Sequence, residues 1–284
     1  MAIGIVLEGG GMRGIYSAGV IDELLLNHIK TDGVIGVSAG IIHGITYAAE
    51  QYGRNVRYTV KYRGNKRFMS LNSFLKTGDI CEAEFCYKEI PDNLYPLDYD
   101  MIDHNIKKGM KVYSVVTNLE TGKAEYLEIS DIRNQMDAVR ASASLPIVSR
   151  IVEYDGKKLL DGGSADSIPL KAMQELGFEK NIVVLTRPEG YVKKPDRSMP
   201  IMKKLYKDYP EYLKTCENRF NVYNEELEYV KREEKKGNTF VIQPSRSLKI
   251  SRTEKDIEKI KRMYKLGRFD TQNIMDELNR FLKL

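Results

Sequence analysis

Three short motifs in this sequence carry residue types that could do chemistry. The first is Gly9-Gly10-Gly11-Met12-Arg13-Gly14. Glycines let backbone N–H groups approach an anion closely, and the start of a helix favours negative charge there. A Walker A loop would need Lys and Ser/Thr after the last glycine, but Ile15 and Tyr16 stand there. The spelling satisfies G-x-G-x-x-G. A dinucleotide site, however, also wants an acid at the end of the second strand, where Ser38 stands; Asp32 precedes that strand. The third use is an oxyanion hole for a tetrahedral acyl intermediate. The second motif, Gly36-Val37-Ser38-Ala39-Gly40, has the pattern of a nucleophile elbow, a sharp strand-to-helix turn that exposes a serine. Gly36 and Gly40 flank it because bulk two residues either side would clash. A Gly/Ser-rich helix cap would share that composition. The third motif is Asp161-Gly162-Gly163, which serves equally as an ordinary Asp-Gly turn or as an acid held at a strand end.

These motifs need elements to hold them. Ile3–Leu7 reads as a buried strand, Tyr16–His28 as a helix, Val34–Val37 as a second strand and Ala39–Tyr52 as a second helix. Strand, helix, strand, helix predicts an α/β fold with a mostly parallel sheet covered by helices. Val112–Thr117 and Ile182–Thr186 are further core strands. Asp155-Gly156 predicts a two-residue hairpin between Ile151–Tyr154 and Lys157–Asp161. Residues 54–96 give no clear pattern. Glu211–Lys236 reads as a long surface helix and Phe240–Gln243 as a late strand. Two C-terminal helices follow, with Ser251 and Glu254 as a capping box, Gly267 as the stop of the first and Asp270 as the cap of the last. The expected division is a catalytic α/β unit over 1–190 and a basic, mainly helical region over 191–284.

The chain has 284 residues, 42% of them hydrophobic, enough for a sizeable core. No apolar run reaches the ~18 residues of a membrane span. The first eight residues show no basic cluster or cleavage-like site, so no secretory signal is expected. Cys81, Cys86 and Cys216 form neither a Cys-x-x-Cys pair nor an even set, which points to a reduced, cytoplasmic compartment. From Gly190 onward there are 23 Lys/Arg against 15 Asp/Glu, while the first 189 residues carry 22 against 25. That tail is either a solvated helical surface or a site of weak peripheral attraction to the inner, anionic face of a membrane. Its basic residues are not interleaved with stacking aromatics, so no nucleic acid is expected. No His/Asp/Glu cluster has metal-ligand spacing, and neither a metal nor a cofactor is expected.

Taken together, the three motifs resemble those of the patatin-like phospholipase family, the lipid acyl hydrolases. That family has a glycine-rich loop near its start, a G-x-S-x-G elbow about 25 residues later and a D-G-[GA] motif well downstream. Ala141-Ser142-Ala143-Ser144-Leu145-Pro146 resembles the family's block between the serine and the aspartate. The resemblance spans residues 1–190, with Phe240-Val241-Ile242-Gln243-Pro244 similar to bacterial members. It implies a three-layer α/β/α fold and an acyl-ester hydrolase acting on lipid esters. It also implies Ser38 as nucleophile, Asp161 as base, and Gly10, Gly11, Met12 and Arg13 lining an oxyanion hole bounded by Gly9 and Gly14. A nucleotide- or dinucleotide-binding oxidoreductase is the competing class, and it leaves Gly36–Gly40 and Asp161–Gly163 unexplained.

Such a dyad dispenses with histidine. The three histidines are His28, His43 and His104, and none follows Asp161, as a Ser-Asp-His order would require. His104 lies in a polar, helical-looking stretch, and His43 lies on the helix leaving the elbow, where packing is the expected role. An aspartate has an ordinary pKa of ~3.9 and is a poor base in water, so its site would have to be desolvated.

Overall fold

The computed structural model describes residues 1–283. In chain order the elements are β1 Ile3–Leu7, α1 Ile15–Leu26, β2 Gly33–Val37, α2 Ala39–Ala48, α3 Arg54–Tyr62, α4 Leu71–Thr77 and a π-helical segment Phe85–Leu94. Next come α5 Tyr99–Lys107, β3 Lys111–Asn118, β4 Ala124–Glu128, α6 Met136–Ser142, β5 Val152–Tyr154, β6 Lys157–Asp161 and α7 Leu170–Glu175. The chain closes with β7 Lys180–Val184, α8 Met199–Leu205, α9 Pro210–Lys235, β8 Thr239–Ile242, α10 Ile257–Asn273 and α11 Met275–Leu282.

The sheet runs β5-β6-β3-β2-β1-β7-β8, with β4 also paired to β3. The five strands β3-β2-β1-β7-β8 are parallel, while β4, β5 and β6 are antiparallel additions. Side chains alternate between the two faces along each strand. Ile5 and Leu7 of β1 and Val34 of β2 pack with α1, α10 and α11, and Val112 of β3 packs with α2, α5 and α6. Val6, Ile35, Val37, Tyr113 and Val115 face the other way, onto α7 and α9. The result is three layers, α/β/α. β1, β2 and the Ile182–Val184 part of β7 are apolar and buried on both faces, which is why they read as continuous runs rather than alternations.

β1 is the centre of the winding: β2 and β3 lie on one side, β7 and β8 on the other. In such a sheet the loops at the carboxyl ends of the strands part where the winding reverses, leaving a crevice. The loops after β1, β2 and β7 meet there. The C-terminal region is woven into the same body, since β8 extends the sheet beside β7 and α10 lies across α1.

That crossing revises two sequence expectations. Gly267 does not stop a helix but lies inside α10, where a Cβ would sit 2.2 Å from the Tyr16 carbonyl oxygen; Gly19 faces it with a Cβ position 2.2 Å from the Tyr264 oxygen. The glycines are there for backbone-to-backbone approach. Asp270 also lies inside α10, buried, where it accepts from the Tyr16 hydroxyl at 3.1 Å and the Ser245 amide at 3.0 Å. The N-cap of α10 is Asp256, which accepts from the amides of Glu258 and Lys259. Elsewhere α2 ends at Ala48 rather than Tyr52, and the unpatterned stretch 54–96 forms two short helices and the π-helical segment.

Candidate active site

Ser38 occupies the turn from β2 into α2 with φ 56° and ψ −123°, a conformation a residue with a Cβ rarely adopts. The surroundings hold it there. Its amide donates to the Ser142 hydroxyl at 2.8 Å. Gly36 and Gly40 supply the clearance the turn needs: a Cβ on Gly36 would lie 2.5 Å from the Ile41 backbone, and one on Gly40 would lie 2.3 Å from the Leu7 carbonyl oxygen.

Strand register brings Asp161 to the same place. Val37, the last residue of β2, pairs with Val115 of β3. β4 occupies the far side of β3, so β6 continues on the β2 side and sets Asp161 opposite Val116, the next rung. The serine after one strand end therefore meets the aspartate at the other. Asp161 is pinned through its backbone: its amide donates to the Ser144 carbonyl at 2.9 Å, and its carbonyl accepts from the Thr117 hydroxyl at 2.9 Å. Oδ1 accepts from the Gly163 amide at 2.8 Å, while the buried Oδ2 has no hydrogen-bond partner. Gly162 is required by proximity, since a Cβ there would lie 2.2 Å from the Val115 carbonyl oxygen. Burial raises the Asp161 pKa above the ordinary carboxylate value, partly offset by the Ser38 hydroxyl, by Arg219 and by the Gly163 amide. The Ser38 hydroxyl thus acts on the Asp161 carboxylate without meeting the full geometry of a hydrogen bond.

The glycine loop forms a 3₁₀ turn, Gly11–Gly14, between β1 and α1. Here the amides sort differently from expectation. The Met12 amide already donates to the Arg252 carbonyl at 2.9 Å and the Arg13 amide to the Gly10 carbonyl at 3.2 Å. Neither is free to bind an oxyanion. The amides of Gly9, Gly10 and Gly11 enter no hydrogen bond among the described residues. Gly14 packs the loop on α2, where a Cβ would lie 2.8 Å from that of Ala39. Asp32, the acid a dinucleotide site would need, precedes β2 at the opposite end of the sheet, where it accepts from the Ile3 amide at 2.7 Å.

Gly11 has φ 56°, and an added Cβ would lie 2.6 Å from the Arg252 carbonyl oxygen. Gly11→Ala is therefore expected to displace the loop. If the loop binds the oxyanion, kcat falls by about 10², the usual scale for losing one such donor, with KM changing much less. Steady-state kinetics on a soluble ester checks this; an effect on KM alone would make the loop a substrate-binding element only.

Two cavities meet at Ser38. One is apolar, about 110 Å³, and lined by Ile42, Ile45, Tyr58, Phe68, Met69 and Ile90 among others. The other is smaller, about 30 Å³, and polar; it holds Asp161, the glycine loop and the side chain of Arg13. His43 is buried beside Gly14, where burial pushes its pKa down to about 4, and among the described residues it makes no hydrogen bond to Asp161. His28 and His104 are exposed and share a surface depression with Asp32, at the far end of the strands.

Several residues here escaped the sequence reading. Ser142 sits in the quoted Ala141–Pro146 block, but nothing marked it as the acceptor for the Ser38 amide. Glu8 accepts from the Thr186 hydroxyl at 2.9 Å and the Tyr223 hydroxyl at 2.7 Å, tying the ends of β1 and β7 to α9. Arg187, Lys193, Arg219 and Arg252 line the polar pocket, three of them from the basic tail, for which the sequence offered a solvated surface or membrane attraction. Single basic residues scattered over a helix and loops have no spacing that could reveal them.

The family model for patatin-like phospholipase matches residues 5–173, and a second, a domain of unknown function (DUF6363), matches residues 209–283. An uncharacterized protein of Escherichia coli strain K12, YjjU, is 28% identical over 188 residues, covering 66% of this chain and 52% of that protein. Lysophospholipase NTE1 of Meyerozyma guilliermondii is 27% identical over 199 residues, covering 64% of this chain and 12% of that protein. The crystal structure of VipD from Legionella pneumophila aligns with a TM-score of 0.46 at 13% identity, over 97% of this chain and 67% of that one. The chain thus spans about half, or much less, of the length of these curated relatives. With more than half of its residues matched by that first model, on a three-layer sheet that carries the serine and the aspartate at adjoining strand ends, the chain belongs to the patatin-like phospholipase family.

Proposed function

We propose that this protein hydrolyses acyl esters of lipids through a Ser38–Asp161 dyad. The observation that carries this reading is the buried, unpartnered Oδ2 of Asp161 beside a serine held at positive φ, where an apolar cavity meets a polar one. Ser38 Oγ attacks the ester carbonyl carbon and passes its proton to Asp161. The carbonyl oxygen becomes an oxyanion held by the free amides of Gly10 and Gly11. Collapse expels the alcohol, which takes the proton back from Asp161, and leaves an acyl-serine. Water then repeats the sequence and releases the fatty acid. Burial makes Asp161 a stronger base than a solvated carboxylate, which lessens the mismatch with the serine hydroxyl. The apolar cavity takes the acyl chain. Beside its Phe68 and Met69, α4 presents Leu71 and Leu75 to solvent at 65% and 75% exposure, a route by which the enzyme would meet a lipid surface.

Labelling with a fluorophosphonate probe tests the proposal. The adduct is expected on Ser38, with hydrolysis of p-nitrophenyl esters improving with acyl length until the cavity is filled. An adduct on another serine, or none in a protein that hydrolyses esters, would overturn it.

A further inference from the structure

The polar pocket beside Ser38 holds an unusual excess of positive charge. Arg13 comes from the glycine loop, Arg187 follows β7, Lys193 lies in the loop beyond it, Arg219 is on α9 and Arg252 precedes α10. Among the described residues the carboxylates lining the pocket are Glu8 and Asp161, while Asp196 acts on Arg219 and Arg252 from outside that lining. Glu8 is already taken by Thr186 and Tyr223, and Asp161 by the Gly163 amide on one oxygen. Among the described residues none of the five cations forms an ion pair. Arg13 is only 7% exposed, yet its Nε has no hydrogen-bond partner, and the buried Nε of Arg219 has none either. Arg187 and Lys193 rest instead on aromatic faces, 4.3 Å from the Tyr191 ring centroid and 4.4 Å from that of Tyr223. The crowding leaves its mark on ionisation. Burial and then the neighbouring Arg219 and Arg252 push Lys193 down to about 7, and burial with Arg187 and Arg252 pushes Arg13 down to about 10.

Desolvated guanidinium groups without partners are costly, and a multiply charged oxyanion relieves that cost. We propose that this pocket is a phosphate subsite, so that the preferred substrate is an acyl ester whose alcohol carries a phosphate monoester. The inference rests on the hydrolase reading above and adds the identity of the leaving alcohol. Three features select the alcohol side and this head group. Asp161, which returns the proton to the leaving oxygen, lines the polar pocket and not the apolar one. The polar pocket is small, about 30 Å³, which suits a compact head group. Its excess of positive over negative groups opposes a quaternary ammonium such as choline. The site also gives the C-terminal region a task, because Arg219 and Arg252 both lie within the 209–283 segment.

The test compares kcat/KM of the full chain for three substrates of one acyl chain: 1-acyl-glycerol-3-phosphate, 1-acyl-glycerol and 1-acyl-glycerol-3-phosphocholine, below their micelle-forming concentrations. The phosphate monoester is expected to be favoured over each of the others by at least about 10-fold, the equivalent of one charge-assisted contact. Inorganic phosphate should inhibit hydrolysis of the neutral ester competitively. Lys193 and Arg187 do not rank among the groups acting on Asp161, so changes there report on the subsite. Lys193→Gln and Arg187→Gln should each shrink the phosphate-to-neutral ratio about 5- to 10-fold and weaken inhibition by phosphate, whereas Lys193→Arg should keep both. If all three esters are cleaved equally well and phosphate does not inhibit, the subsite is wrong while the hydrolase stands. If the phosphate ester is preferred but the ratio is unmoved in folded Lys193→Gln and Arg187→Gln proteins, the preference arises elsewhere and the proposal falls. No hydrolysis of any ester would instead overturn the activity, and this inference with it.

Discussion

Ser38→Ala should lose ester hydrolysis by about 10⁴- to 10⁶-fold in kcat, the range seen when a nucleophilic serine is removed from an acyl hydrolase. The reason is local. The Ser38 side chain forms no hydrogen bond that the fold depends on, and the contact that fixes the turn runs from its backbone amide to Ser142. Alanine bears the same Cβ at φ 56° and suffers the same strain, so the thermal midpoint should stay within a few degrees of the wild type. Ser38→Gly removes the strain as well as the hydroxyl and should be inactive yet at least as stable, the pattern expected where a residue is strained for function. Activity above about 1% of wild type in a folded Ser38→Ala protein would exclude this serine as the nucleophile.

The layout around Ser38 was readable because its constraints are short-range. A glycine two residues either side of a serine, placed between a β-branched strand and a small-residue helix, points to a tight turn, and the Gly36 and Gly40 clearances agree with one. The strands β1, β2 and β7 were legible for the same reason, as apolar runs bounded by glycine or a charge. Gly267 and Asp270 were misread because their roles depend on α1, some 250 positions away in the chain. A glycine at a helix crossing and a glycine at a helix end are the same letter, and only the partner tells them apart. The division of the loop amides was equally hidden. The Met12 amide is taken up by the carbonyl of Arg252, a contact that no local pattern contains.

The charge balance of the tail carried information that its sequence could not localise. An excess of Lys and Arg after residue 190 is compatible with a solvated helix surface, and several of those lysines do make exposed i,i+3 pairs, such as Lys214 with Glu211 and Lys231 with Glu228. Such pairs are worth little to stability. The residues that matter for the site are the ones left out of that pattern. Arg219 lies on the same helix but turns inward, to within 3.2 Å of where a Cβ on Gly163 would stand, and so presses against the aspartate loop. What the tail gives the active site is therefore a few inward cations, together with the Arg252 carbonyl that fixes the glycine loop.

Asp161→Asn is the second large effect, and pH separates its two consequences. Asparagine keeps the shape and the Gly163 hydrogen bond through its Oδ1, but it cannot accept the serine proton. Loss of general-base function costs about 10²- to 10⁴-fold in kcat. If Asp161 is the base it must be ionised, so kcat/KM should fall on the acidic side as pH drops through the folded pKa of Asp161, which burial holds above the ordinary carboxylate value. Asp161→Asn should flatten that limb, whereas His28→Gln, His43→Gln and His104→Gln should leave it in place. Stability moves in the opposite sense. Because the folded pKa is raised, folding opposes ionisation of this carboxyl, and its contribution is most favourable below the unfolded value of ~3.9 and declines as pH rises through the folded pKa. Removing the ionisable group removes that decline. The Asp161→Asn protein should therefore match the wild type in acid and exceed it in thermal stability at neutral and alkaline pH, while being nearly inactive throughout. Denaturation midpoints measured across that range, beside the rate profile, decide the matter: a variant less stable than wild type at pH 8 would mean that the carboxylate is held by compensating charge, Arg219 foremost, and is no desolvated base.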